Sequence, residues 1–285
     1  MNTQNPDILP LGSLPRPASD DDLAARLRTA LLTNGGVDAA SAGALSVAAT
    51  QAGADIPSLA VDLTGVELSP REARAARTAA EGFEAARRER GTIGSLTVQA
   101  HPVTVVGAGV DLQLDVSGVS FEWVEGADGR LGLAAVEPDE AHPVTGSARV
   151  AVPVQAIEAA AERVAAQLAA ANGLKLSRLD LRLSPAGANG VAVVVDAQVK
   201  KSLLSATVEA GMTATVDDAL GVTLTDVKVS SRNPVVAALL VAARSRVERY
   251  DGRRIDLVSA LPAGIRLADV RVTVGDEVVL TARAQ

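Results

Sequence analysis

The 285-residue chain contains no cysteine, which removes disulfides, thiolate metal ligands and thiol nucleophiles together. Aromatic side chains are nearly as scarce: Phe83, Phe121, Trp123 and Tyr250 are the whole set. A chain with so few flat rings lacks the stacking platforms of single-stranded nucleic-acid binders. Its formal net charge of −7 repels a phosphate backbone as well, so nucleic acid is excluded as a partner. No window reaches the roughly 18 uninterrupted apolar residues of a membrane-spanning helix, and the longest run, Pro234 to Ala243, is about half that length. The first residues show no basic stretch followed by an apolar one, as an export signal would. These absences predict a cytoplasmic protein that meets a membrane, if at all, from the side.

Catalytic chemistry is equally thin. His101 and His142 are the only histidines, and neither sits in an HExxH spacing or a helical i, i+4 pair that would hold a metal. There is no G-x-S-x-G elbow. Gly107-Ala108-Gly109 starts a dinucleotide fingerprint, but Leu112 occupies the third glycine position and the alternation beyond it is that of a strand, where a phosphate cradle needs a helix N-terminus. No catalytic residue, metal site or cofactor is predicted, and the chain reads as a binding protein, not an enzyme.

What the chain has is aliphatic: 48% of its residues are apolar, almost all of them Ala, Val, Leu and Ile. Residues 1–20 read as an extended tail because Pro6, Pro10, Pro15 and Pro17 cannot continue a helix. Asp20, Asp21 and Asp22 then open a helix bearing Leu23, Leu27 and Leu31, which stops at Asn34-Gly35-Gly36. Ala39–Thr50 favours helix by composition. Period-2 alternation from Leu59 to Leu68 gives a strand, and Ser69-Pro70 starts an Ala/Arg/Glu-rich helix reaching Arg90. From Thr92 to Trp123 sustained alternation predicts an antiparallel sheet, turning at Asp128-Gly129. The polar segment Glu137–Ala141 divides a half spanning 21–145 from a second spanning 146–285.

The second half starts with a helix over Pro153–Asn172, whose stripe is Val154, Ile157, Ala161, Val164 and Leu168. Strands follow at Leu174–Leu183, Val191–Val199, Leu203–Val208, Met212–Val216 and Val222–Val229. Asn233-Pro234 opens another helix with Val236, Leu239, Leu240, Ala243 and Val247 on one face, and a hairpin turning on Gly275-Asp276 closes the chain. Leu63-Thr64-Gly65-Val66-Glu67-Leu68-Ser69 is echoed by Leu224-Thr225-Asp226-Val227-Lys228-Val229-Ser230, a hint of related halves, and Ala-His-Pro-Val-Thr occurs at 100–104 and at 141–145.

The helix Pro153–Asn172 after Val150-Ala151-Val152, the strand Gly221–Val229, and the closing run from Ile255-Asp256-Leu257 through Leu261-Pro262-Ala263-Gly264 to Val272 together resemble the LmeA-like phospholipid-binding family of the tubular lipid-binding (TULIP) superfamily. The resemblance implies an α+β fold in which a long, curved antiparallel sheet wraps around long amphipathic helices. It implies an apolar groove that holds the acyl chains of a phospholipid, each buried CH₂ contributing about 0.8 kcal/mol. Ile157, Val164, Leu168, Leu239 and Leu240 are the expected lining. Arg244, Arg246, Arg249 and Arg253 are the expected contacts to anionic headgroups or an acidic partner, with complementing the helix dipole as their alternative role. The competing reading is a scaffold with the same fold and a filled interior, meeting a protein partner or a second copy through its N-terminal tail and sheet edges.

Overall fold

The structure is a computed structural model in which residues 8–69, 83–105, 107–139, 142–171, 173–201, 204–217, 221–231, 233, 251–252, 254–256 and 267–284 are described. The chain divides into two compact units, 1–150 with 259–268 and 282–285, and 151–258 with 269–281. The expected helices over 70–90 and after Asn233 fall wholly or mostly outside the described residues. So do Leu239, Leu240, Arg244, Arg246, Arg249 and Arg253.

In the first unit the proline-bearing N-terminal segment is a strand, β1 (Ile8–Ser13), with Ile8 and Leu11 buried. Helix α1 (Asp20–Asn34) begins where the three aspartates predict. The Asp22 N–H donates to Ser19 Oγ at 3.2 Å, and Leu23, Leu27 and Ala30 are buried along one face. Composition misleads over Ala39–Thr50: a single 3₁₀ turn at Ala42–Ala44 leads into strand β2 (Ser46–Ala52). Pairing of β2 with β3 (Asp55–Asp62), which sets Ala49 against Leu59, overrides the helix preference of alanine.

A short strand β4 (Glu67–Leu68) is followed by the longest pair of the molecule, β5 (Ala85–Val105) and β6 (Ala108–Gly126), joined by a turn in which Gly107 has φ +74°. That turn disposes of the apparent phosphate fingerprint. Ala85–Arg90, expected to be helical, is strand because β6 offers opposite charges across the ladder: Arg88 Nη1 lies 2.8 Å from Glu122 Oε2. After β6 come β7 (Arg130–Ala135) and β8 (Thr145–Pro153). The closing hairpin is β14 (Leu267–Val274) and β15 (Glu277–Ala284). The sheet order is β14-β15-β8-β6-β5-β3-β2, with β7 also on β6, β1 on β7 and β4 on β5.

This sheet is mixed, not antiparallel. β3 runs parallel to β5 in the register Ile56↔Ile93 to Asp62↔Gln99, and β4 runs parallel to β5 beside it. Trp123 anchors the core under them: it is 0% exposed, donates from Nε1 to the Ala54 carbonyl at 2.9 Å, and meets the Phe121 ring edge-to-face at 5.6 Å. Arg16 lies over the indole at 5.4 Å and is held by Glu125 at 2.9 Å and Glu89 at 3.0 Å.

The second unit holds helix α2 (Val154–Ala171) and a separate five-stranded antiparallel meander. Its strands are β9 (Lys175–Pro185), β10 (Gly190–Lys201), β11 (Leu204–Val216), β12 (Gly221–Ser231) and β13 (Arg254–Asp256). The two strands predicted at Leu203–Val208 and Met212–Val216 are one, because Gly211 continues the ladder opposite Val194 and no atom comes closer than 3.9 Å to where its Cβ would be.

The expected curved sheet wrapped around long helices is therefore corrected. The described residues form two sheets, one with parallel pairs, with no strongly curved or closed sheet among them and two helices of 15 and 18 residues.

Candidate interaction face of the second unit

The register of the meander sorts its side chains by chemistry. Val193 lies opposite Leu183 on one side and Met212 on the other, and Val195 lies opposite Leu181 and Ala210. Ala214 in turn faces Leu224, and Ala210 faces Val229. Paired residues share a face, so from Leu179 to Val229 this side of β9–β12 is apolar. The reverse side carries Arg178, Asp180 and Arg182 on β9, Asp196 and Gln198 on β10, and Thr207, Thr213 and Thr215 on β11. Ion pairs run across it: Arg182 Nη2 is 2.6 Å from Asp196 Oδ2, and Arg178 Nε is 2.8 Å from Asp180 Oδ2. The hydrogen bond that Arg178 donates to Asp180 raises the Arg178 pKa above the ordinary arginine value.

The reverse side also includes Ala192 and Val194, and on β12 one residue sets the phase. Along Val222-Thr223-Leu224-Thr225-Asp226-Val227-Lys228-Val229 simple alternation would turn Asp226 and Lys228 onto the apolar side. The register instead steps from Thr213↔Thr225 to Gly211↔Lys228, so Asp226 and Val227 together oppose Met212. Asp226 takes φ +55°, a left-handed bulge that re-phases the strand and returns Lys228 to the polar side.

The apolar side is only half covered. Among the described residues on it Leu181 is the one large side chain that is buried, at 8%; Val193, Val195, Val199, Leu224 and Val229 are half-buried, and Met212 is 37% exposed. Helix α2 packs on β9 without completing the cover. Its expected stripe is rotated: Ile157, Ala161 and Ala165 are half-buried and Ala169 is buried, whereas Val164 and Leu168 are 55% and 62% exposed. The helix thus turns Ile157 and a ridge of alanines inward, about one turn apart, and points Val164 and Leu168 outward.

No apolar groove of the expected kind is formed among the described residues. Ile157, Val164 and Leu168 do not converge on a hollow, and the described groove of about 620 Å³ lies in the first unit, between β1 and α1, where Pro10, Leu11, Arg26 and Thr29 line it. At the start of β13 Arg254 has its Nη1 2.6 Å from Asp217 Oδ2.

The titratable groups do not assemble a reaction centre among the described residues. His101 Nδ1 is 4.0 Å from Asp111 Oδ1, and His142 Nδ1 is 2.8 Å from Asp139 Oδ1, so the repeated Ala-His-Pro-Val-Thr builds two unrelated surface contacts. No group of three or more His, Asp or Glu side chains there could hold a metal ion. No helix there is long and apolar enough to cross a membrane.

The two-faced sheet went unnoticed in the sequence because its evidence is distributed. Each strand shows alternation, but only pairing reveals that four successive strands align their apolar positions. The signal available was the strict polar/apolar alternation of Leu179–Ser184 and of Ser205–Val208.

No family model, curated protein or solved structure matches the chain. The resemblance to the LmeA-like family and the TULIP superfamily is corrected on the fold itself: a mixed sheet and a separate antiparallel meander stand where a helix-wrapped sheet was expected.

Proposed function

We propose that the protein is a non-catalytic protein-binding module, in which the first unit is the stable body and the apolar side of β9–β12 in the second unit is the contact surface. The observation that supports this is the half-covered aliphatic side of the meander. Contiguous apolar surface of this kind on a water-soluble chain marks a place where another surface belongs. Half-exposed Val, Leu and Met side chains gain on the order of 25 cal/mol for each Å² that a partner removes from water, and the absence of charge among them means that no ion has to be desolvated.

Photo-crosslinking in cells tests the reading. A benzophenone amino acid placed at Val195 or Met212 should yield covalent protein adducts, whereas the same group at Thr207, on the polar side, should not. Adducts from neither side, or equal adducts from both, would overturn the assignment.

A further inference from the structure

We infer that the groove between β1 and α1 in the first unit binds a single extended, uncharged peptide segment of a partner protein, about four residues long. The site is separate from the meander and does not rest on the reading of that sheet.

Size selects an extended chain. The helix wall of the groove runs from Ala25 to Asn34, about 14 Å at about 1.5 Å per residue, and the strand wall from Pro10 to Leu14 is also about 14 Å at about 3.4 Å per residue. Spread over that length, the volume of about 620 Å³ leaves a cross-section of about 44 Å². A strand whose neighbours stand about 4.8 Å away within a sheet and about 10 Å away across it occupies about 48 Å², whereas a helix about 10 Å in diameter occupies about 80 Å². One strand-like segment fits and a helix does not.

The polar groups of the wall call for donors. Thr29 Oγ1 donates to the Ala25 carbonyl and Thr33 Oγ1 to the Thr29 carbonyl, each at 2.9 Å. A hydroxyl has one hydrogen, so what these two exposed side chains offer an occupant is lone pairs. They stand one turn apart, about 6 Å along the axis, and the N–H groups on one edge of an extended chain recur every second residue, about 6.8 Å. An extended backbone thus supplies one donor to each threonine. Strand β1 gives no such selection: Pro10 has no N–H, and Leu11 and Gly12 together oppose Leu131 in a bulge with Gly12 at φ +91°, which blunts that edge against ladder pairing.

The charges of the wall are already matched. Arg26 is the one charged residue lining the groove, with its Nε 3.0 Å from Asp22 Oδ1 and its Nη1 donating to the Ser13 and Pro15 carbonyls at 2.7 and 3.0 Å. A charged side chain entering here would lose water without gaining a counter-ion, so the complementary segment is neutral. Its aliphatic side chains meet Pro10, Leu11 and Leu14, the last 39% exposed.

An NMR titration of the ¹⁵N-labelled full-length protein tests this with N-acetylated, C-amidated tetrapeptides, Ala-Val-Ala-Val against Ala-Val-Glu-Val and Ala-Val-Lys-Val. The neutral peptide should shift the amides of Leu11–Leu14 and Ala25–Asn34 with a Kd of about 1 mM or tighter, and the charged ones should bind at least about tenfold more weakly. Replacing Thr29→Val and Thr33→Val together removes both acceptors at nearly equal shape and helix propensity, and should weaken binding at least about fivefold. A second measurement needs no variant: methylating one of the two alternate pairs of peptide nitrogens should weaken binding to the unaltered protein by a similar factor. No shift at about 5 mM peptide overturns the inference. Shifts confined to β9–β12 overturn it and leave the meander reading standing. Groove shifts that are equal for the charged peptides, or that survive both the valine pair and the methylation, overturn it as well.

Discussion

The two units use one aliphatic vocabulary and reach different ends. In the first, α1 sets Leu23, Leu27 and Ala30 down as a lid, and the buried side chains join a cluster that runs from Leu11 to Leu133 around Trp123. In the second, α2 presents alanines inward and Val164 and Leu168 outward, and the valines of β10 stay half-exposed. Both clusters of buried apolar residues found among the described residues lie in the first unit. The lesson is that apolar content does not by itself make a core. Cover does, and cover depends on which phase of a helix carries the bulk.

The largest effect that sharpens this contrast belongs to Trp123→Ala. The substitution opens a cavity at a fully buried site, orphans the Ala54 carbonyl and removes the ring under Arg16, so a loss of about 3–5 kcal/mol is expected by chemical denaturation followed by circular dichroism. As the only tryptophan, Trp123 also makes intrinsic fluorescence a reporter of the first unit. Its emission should be that of a buried indole and should change in the transition of that unit. A loss below about 1 kcal/mol would show that this cluster is not the core.

A paired test comes next. Leu23→Ala should destabilise by about 2–5 kcal/mol, since Leu23 is fully buried beneath α1. Leu168→Ala on α2 should stay within about 0.5 kcal/mol, because its side chain is 62% exposed. Equal effects would break the comparison between the two helices, and would mean that Leu168 is as well covered as Leu23.

How much of this was legible follows the same division. Element positions were readable wherever one local signal sufficed: the Asp20–Asp22 helix start, the Asp128-Gly129 turn, the limits of α2 and the closing hairpin. Tertiary pairing hid the rest. Nothing within Ala85–Arg90 announces a strand, because the glutamates that stabilise it lie on β6, more than thirty residues onward. Parallel pairing of β3 with β5 has no local signature either, and the tubular fold was inferred from an order of elements that several architectures share. The candidate face was missed because a period-2 pattern states that a strand has two sides without stating how neighbouring strands align.

The echo between Leu63–Ser69 and Leu224–Ser230 turns out to have a physical content that composition did not reveal. Gly65 has φ +76° and Asp226 has φ +55°, each at the third position of Leu-x-x-Val, and Leu267-Ala268-Asp269-Val270-Arg271-Val272 repeats the pattern with Asp269 at φ +52°. The register shifts by one at Asp226, Gly65 stands in the turn between β3 and β4, and Val66 and Val270, each next after its left-handed residue, are buried. The moderate effect on the comparison lies here. Asp226→Val forces a β-branched side chain into the left-handed region and should destabilise the second unit by about 1–2 kcal/mol, whereas Asp226→Gly should be neutral or slightly stabilising. Hydrogen exchange across β11 and β12 reads the result, and protection that survives Asp226→Val would remove the bulge from the account of the two-faced sheet.

The smallest effect returns to the first unit, at the loop between β3 and β4. Asp62 is held below the ordinary carboxylate pKa first by the Thr64 hydroxyl, then by the Thr64 N–H at 2.8 Å and the Gln99 amide at 2.9 Å. A carboxylate whose pKa is lower folded than unfolded contributes stability that is present above the unfolded value and lost as pH falls through the folded one. Thr64→Val removes the hydroxyl and keeps the N–H, so the Asp62 pKa should rise toward its ordinary value in an NMR titration of the carboxyl carbon. The variant should be slightly less stable than the parent at neutral pH, and the gap should close as the solution is acidified through the folded pKa, where neither chain retains the charge. The effect of the substitution should also shrink in high salt less than that of an ion pair would, because the hydroxyl it removes is a neutral dipole. An unchanged pKa in Thr64→Val would show that the backbone N–H alone holds this turn, and that Leu63-Thr64-Gly65 owes its shape to the left-handed glycine and not to the threonine beside it.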